Sequence, residues 1–157
     1  LQGEWQLDIY GSTGTQDGDI QFKQYIHSLS LNNNVLFHGW RANPWSEIKE
    51  AGVLLLNSEQ EGLSLVICEA LMRGIPVVSS DCPTGPSELI INNENGWLYP
   101  VHEEFKGIEI IQKIISGEIA LPEPLQIQDS VSYLRQSHVF EKMYRAILAI
   151  SSKNQLP

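Results

Sequence analysis

VLLLNSEQEGLSLVICEALMRGIPVVSSD, residues 53–81, is the stretch whose reading decides the fold. Its opening VLLLN (53–57), released by Gly52, is a continuous apolar run of the kind buried on both faces of a parallel sheet. The turn NSEQEGL leads into a helix predicted over about residues 64–73 and ended by Gly74. PVVSS (76–80) is the next strand, with DCPTGP as its exit loop. Two strands joined by a helix of this length pair in parallel, with a right-handed crossover.

Working outward, the same alternation continues on both sides. Upstream, Trp5, Leu7 and Ile9 alternate with polar residues in WQLDIY, a strand pattern followed by the loop GSTGTQDGD. From Asp19 the period becomes helical, with Phe22, Tyr25, Ile26 and Leu29 on one stripe that ends at Asn32-Asn33-Asn34. Residues 35–38 form a second strand closed by Gly39, and Asn43-Pro44 reads as an N-cap with proline at the first position of a short helix to about Ala51. Downstream, a short helix over about residues 86–91, the turn from Asn92 to Gly96 and a strand over 97–99 follow. The tail is helical, with Phe105, Ile108, Ile111 and Ile115 on one stripe ending at Gly117. Pro122 and Pro124 then break the chain before a last helix carrying Phe140, Met143, Tyr144, Ile147 and Leu148. The expected architecture is an α/β, doubly wound, Rossmann-like parallel sheet over residues 1–120, with residues 121–157 as a C-terminal helical extension of the same domain.

Bulk properties narrow the function classes. The 157 residues suffice for one ordinary domain. Ten basic against nineteen acidic residues leave a net charge of -9, a field that repels phosphate backbones and argues against a nucleic-acid partner. Cys68 and Cys82 are too few for a disulfide framework and read as free thiols in a reducing compartment. No apolar run approaches the ~20 residues of a bilayer span, and no Cys/His cluster has metal spacing. The opening at Leu1 without a methionine suggests a fragment.

In an open parallel sheet, ligands sit beyond the carboxyl ends of the strands, so four loops matter: residues 11–18, 39–43, 58–63 and 81–85. The third has the best physics. Gly62 lets the backbone approach a ligand, and the N–H groups near Leu63, Ser64 and Leu65 open a helix whose dipole favours an anion such as a diphosphate. Glu61 stands just before this point and Glu69 about a turn and a half inside the helix; each carboxylate can accept two hydrogen bonds from a sugar diol. For either glutamate alone, an ordinary surface charge is the better reading. Ser58 reads as a turn cap or a phosphate contact, and Trp40 as a packing residue or a ligand contact. His27, His38, His102 and His138 are scattered without partner spacing, and Gly11, Gly14 and Gly18 do not form the dinucleotide fingerprint.

What raises these residues above background is the whole string. Seven residues separate Glu61 from Glu69 in EGLSLVICEALMRGIPVVSSD, which resembles the E-x7-E signature of the retaining glycosyltransferases of family 4 (GT-4). Thr84-Gly85-Pro86, Glu88 and the turn Asn95-Gly96 fit the same family, over about residues 5–117. Gly39-Trp40, Pro44-Trp45 and Ser80-Asp81-Cys82 make the chain similar to its lipopolysaccharide-core galactosyltransferase branch.

The resemblance implies the C-terminal, donor-binding half of a GT-B enzyme that moves a hexose, galactose on the narrower match, from a UDP-sugar to a lipopolysaccharide-core or similar glycan acceptor. By the same resemblance Glu61 reads hydroxyls of the transferred sugar and is the catalytic residue, and Glu69 holds the ribose. Backbone amides from Gly62 to Leu65 hold the diphosphate, with Ser58 nearby, and Gly39, Trp40 and Arg41 face the base. No metal or other cofactor is implied. The acceptor site belongs to an N-terminal domain, and the enzyme works in the cytoplasm, peripheral to the inner membrane. One departure stands out. Family members begin this domain with a central strand whose exit loop supplies an Arg and a Lys to the diphosphate, and Arg41, Lys49 and Arg73 are not at matching positions. The expected sheet therefore has a gap between WQLDIY and VLLLN. A nucleotide-sugar epimerase of the same architecture and a non-catalytic α/β interaction domain stand as alternatives.

Overall fold

The computed structural model describes residues 1–62, 64–134 and 145. The chain divides into two compact units, the first Leu1–Ala51 and the second beginning at Gly52.

In the first unit, β1 (Leu7–Tyr10), α1 (Gln16–Ser28) and β2 (Val35–Gly39) form a β-α-β motif. The two strands pair in parallel, Leu7 opposite Val35 and Ile9 opposite Phe37, with an irregularity between Ile9 and Tyr10. Helix α1 begins three residues before the expected Asp19. Thr15 is its cap, its hydroxyl accepting from Gly18 N at 3.0 Å, and Asp17 and Asp19 then lie in the first turn, where the helix dipole favours acids. The expected stripe is only partly inward. Ile26 is buried and Phe22 meets Phe37 edge-on, whereas Tyr25 and Leu29 are exposed. The helix expected from Pro44 to Ala51 is a single 3-10 turn, Pro44–Ser46. Asn43 makes no side-chain cap; instead the Ser46 hydroxyl donates back to Asn43 O at 2.7 Å, a local bond that competes with helix continuation.

The second unit holds β3 (Leu54–Leu56), α2 (Leu65–Leu71), β4 (Val77–Ser80), α3 (Pro86–Leu89), β5 (Gly96–Tyr99), α4 (Glu104–Ile115) and α5 (Pro124–Ser130), followed by a 3-10 turn at Ser132–Leu134. All strand pairings are parallel in the order β3-β4-β5. Among the described residues no ladder joins this sheet to the β1-β2 pair. Strand β4 sits centrally and every one of its residues is buried. Strand β3, expected to be buried on both faces, is instead the edge of this sheet, and Leu55 is exposed.

Helix α4 has the expected period but a different phase. Phe105 is 81% exposed and Ile108 is exposed, while Gly107, Ile110, Ile111 and Ile114 face Val78, Trp97 and Tyr99. Gly107 causes the rotation: a Cβ there would lie 2.8 Å from the Tyr99 ring, so the helix meets the sheet at its one residue without a side chain. Helix α5 was not among the expected elements, because Pro122 and Pro124 read only as breakers. Pro124 stands at the first helical position, where a missing N–H costs nothing, and Ile127 is fully buried. The last expected helix, carrying Phe140, Met143, Tyr144, Ile147 and Leu148, lies outside the described residues.

Candidate functional site

The site is built at the carboxyl end of β3, where the chain turns through residues 57–62 into α2. Strand β4, its exit loop and the end of β5 hold this turn from beneath. Tyr99 Oη donates to Asn57 Oδ1 at 2.9 Å, and Ser80 Oγ donates to Ser58 O at 2.6 Å. The Thr84 hydroxyl lies within hydrogen-bonding distance of Glu61 O. Gly85 follows at φ +106, and a Cβ on it would stand 3.0 Å from Gly62 O, so the two loops touch backbone to backbone. Burial raises the Tyr99 phenol above its usual pKa, with the charge of Glu104 adding to the effect; the hydroxyl therefore stays a donor across the physiological range.

On this platform Glu61 is half-buried, and Ser58 Oγ donates to its Oε1 at 2.7 Å. Ser58 thus caps the turn through the Glu61 side chain. One carboxylate oxygen, Oε1, is thereby engaged. Gly62 is exposed, Leu63 lies outside the described residues, and Ser64 is buried. The Ser64 hydroxyl is buried and finds no hydrogen-bond partner among the described residues. Ser64 O accepts from Ile67 N at 3.1 Å, so α2 starts here with the unpaired first-turn amides usual at a helix start. Leu65 is exposed, as is Glu69 one turn further on, whose carbonyl accepts from Arg73 Nη1 at 2.8 Å. On the inner side of the same helix, burial raises the Cys68 thiol pKa, and Ile67, Ala70 and Leu71 are buried.

The structure brings Ser58, Glu61, Gly62, Ser64, Leu65 and Glu69 into one turn and helix start. Gly39, Trp40 and Arg41 belong to the first unit. Trp40 is 70% exposed, which removes its reading as a core residue within that unit. Arg41 forms an ion pair with Glu47 at 3.2 Å and also donates to Trp40 O. Sequence reasoning quoted Ser80 and Thr84 in the family motifs but missed that they and Tyr99 support the turn, through bonds to Ser58, Glu61 and Asn57. Among the described residues no three His, Cys, Asp or Glu are placed to hold a metal ion, and no helix is long and apolar enough to cross a membrane.

The class of protein to which this parallel α/β sheet belongs comes from comparison with known families. The family model for glycosyl transferases group 1 matches residues 1–128, and the chain belongs to that family. It is 28% identical to the lipopolysaccharide 1,6-galactosyltransferase of Escherichia coli K12, over 98% of this chain and 43% of that protein. Among solved structures it is similar to the lipopolysaccharide outer core galactosyltransferase WaaB in its apo form, with a TM-score of 0.83 and 31% identity over 94% of this chain and 42% of that one. HepE of Anabaena in complex with UDP-glucose shares the fold, with a TM-score of 0.72 and 23% identity over 92% of this chain and 41% of that one. The chain spans under half the length of these relatives.

Proposed function

We propose that the chain is the donor-binding part of a retaining glycosyltransferase, which transfers a hexose, galactose in the narrowest reading, from a UDP-sugar to a lipopolysaccharide-core or similar glycan. The observation that carries this is the family match across the turn on which Glu61 and Glu69 stand. Glu61, oriented by Ser58, accepts hydroxyl protons of the transferred hexose near the reacting carbon. Glu69 accepts from the ribose diol. The amides from Gly62 to Leu65 and the Ser64 hydroxyl donate to the diphosphate and stabilise its charge as it departs. Trp40 and Arg41 serve the base. The acceptor is held by a further domain, and the reaction takes place in the cytoplasm at the inner membrane surface, without a metal.

This reading makes a ranking testable by ligand-observed NMR or calorimetry on the chain. UDP and UDP-hexoses bind better than NAD or ATP; equal or tighter binding of NAD overturns the assignment. Affinity is low. Helix-end amides contribute about 1–2 kcal/mol to an anion, while ~8 kcal/mol is needed for micromolar binding, and the chain carries a net charge of -9. A dissociation constant above ~100 μM for UDP follows. In the complete enzyme, Glu69→Gln raises KM for the donor, because the ribose contact is the same in ground and transition states. Glu61→Gln lowers kcat instead. Each effect is about 10- to 150-fold, the loss of one charge-assisted hydrogen bond.

A further inference from the structure

The exit loop of β4 contains a backbone conformation that its residue does not favour. Thr84 has φ +61, a left-handed geometry in which a β-branched side chain is an outlier. Glycine or asparagine would adopt it at lower cost. Strained residues persist where surrounding structure holds them and something is gained by it. What the threonine supplies is its hydroxyl, which reaches across to Glu61 O and shares its one proton between that carbonyl and Pro83 O, 2.6 Å away. Among the described residues, a Cβ on the next residue of the turn, Gly62, would meet nothing within 4 Å beyond its chain neighbours. The peptide joining Glu61 to Gly62 is thus uncrowded at its Gly62 Cα among the described residues, while the Thr84 hydroxyl holds Glu61 O and Gly85 lies against Gly62 O. The other end of the turn is held in the same manner, by the buried Ser80 hydroxyl on Ser58 O.

We propose that Thr84 is a positioning residue that pins the Glu61 carbonyl and so aims the Glu61 carboxylate at the sugar of the donor, an inference that rests on the reading of Glu61 given above. The mechanical argument is short. With its carbonyl fixed by Thr84 and one carboxylate oxygen fixed by Ser58, Glu61 has both its backbone and its side chain restrained. Loss of the Thr84 bond frees the first restraint and lets the peptide rotate at its uncrowded Gly62 end. That rotation also turns the Gly62 N–H, one of the amides assigned to the diphosphate, and leaves the Ser64 and Leu65 amides at the start of α2 in place. The cost therefore falls first on hexose recognition, with a smaller loss in diphosphate binding.

The experiment measures dissociation constants for UDP and for UDP-galactose on the 157-residue chain, by ligand-observed NMR. The quantity read is their ratio, the gain that the hexose brings. Thr84→Val keeps the branched shape and removes the hydroxyl; it lowers this ratio about two- to tenfold, the loss of one neutral hydrogen bond, and weakens UDP alone by less than it lowers the ratio. Thr84→Ser keeps the hydroxyl and retains the ratio. Thr84→Gly, which removes hydroxyl and strain together, keeps the fold by thermal melting and still loses the ratio. A role confined to stability would instead weaken both ligands equally and track the melting temperature. If Glu61→Gln lowers the ratio but Thr84→Val and Thr84→Gly do not, the positioning role is overturned and the function reading stands. If Glu61→Gln leaves the ratio unchanged, the role given to Glu61 is wrong, and the inference about Thr84 is overturned with it.

Discussion

The two units are stabilised in opposite ways. In the first, Ile26 is the one buried hydrophobic side chain among the described residues, and the polar interactions lie outside: Asp19 accepts from Ser12 and Thr13, and Asp8 pairs with His38. In the second, Ile67, Leu71, Val77, Val78, Ile127 and Val131 are all at or below 1% exposure, and Ser79, Ser80 and Asn95 are buried with their hydrogen bonds made. The candidate turn is fastened to the second kind of structure. A recognition group held to within a fraction of an ångström needs supports whose own rotamers are locked by packing. Ser80 and Tyr99 meet that need because they sit on β4 and β5, within the core.

The largest test of this contrast is a pair of truncations. Ile67→Ala empties a fully buried site in α2 and costs about 2–5 kcal/mol, the range for large-to-small changes in a close-packed core. Ile26→Ala, at a site 7% exposed and beneath a half-buried sheet, costs about half as much, since its surroundings relax more easily. Urea unfolding followed by circular dichroism measures both. Equal costs break the comparison.

A second test removes a buried polar hub. Asn95 donates to Leu89 O at 3.0 Å and to Ser130 Oγ at 2.8 Å, and accepts from Ile91 N at 2.8 Å. It ties α5 and the end of α3 to the start of β5. Asn95→Ala leaves Leu89 O and Ile91 N without this partner and costs about 2–3 kcal/mol, the desolvation penalty of groups left unpaired. Asn95→Asp sharpens the result: it keeps the acceptor for Ile91 N, loses the two donors and places a charge in the core. It is expected to be at least as destabilising at neutral pH and to recover as the carboxyl protonates in acid.

How far the molecule could be read from its residues follows from the same contrast. Strand order within each unit was legible, because parallel strands of Val, Leu and Ile separated by helical periods leave few topologies. The Glu61–Glu69 spacing was legible because it is local. The phase of α4 was not, since it depends on Gly107 meeting Tyr99, a contact between residues on different elements. Burial of β3 was misjudged for another reason. The gap expected beside VLLLN already made it an edge of the described sheet, and at an edge an apolar run leaves Leu55 exposed. Ser80 and Thr84 stood in the quoted motifs, but their role as supports of the turn was not legible, since each is 22 or 23 residues from the carbonyl it bonds.

The smallest effect expected is at the surface of the first unit, and its pH dependence distinguishes a charge contribution from packing. Asp8 Oδ1 lies 2.6 Å from His38 Nε2, Gln6 Nε2 donates to Asp8 Oδ2 at 2.7 Å, and Tyr10 stacks on the His38 ring at 4.4 Å. The Gln6 hydrogen bond first, then the His38 hydrogen bond and charge, lower the Asp8 pKa below its ordinary value, against a smaller opposing effect of burial. A carboxylate with a lowered folded-state pKa binds its proton less readily when folded than when unfolded. Its contribution to stability is therefore complete above the unfolded value near 3.9 and is lost as pH falls through the lower folded value. Because both partners are partly exposed, the contribution is under about 1 kcal/mol and shrinks with added salt. Asp8→Ala should then lower the melting temperature slightly at pH 7, and the gap from the parent protein should close as the pH falls below the ordinary carboxylate range. Thermal melts of the two proteins across that range, at low and high salt, measure it. A gap that persists unchanged in acid would mean that Asp8 contributes packing of its stem against β2 and that its charge is immaterial. A gap of several kcal/mol at neutral pH would contradict the surface character assigned to the whole first unit, and with it the difference between the two units.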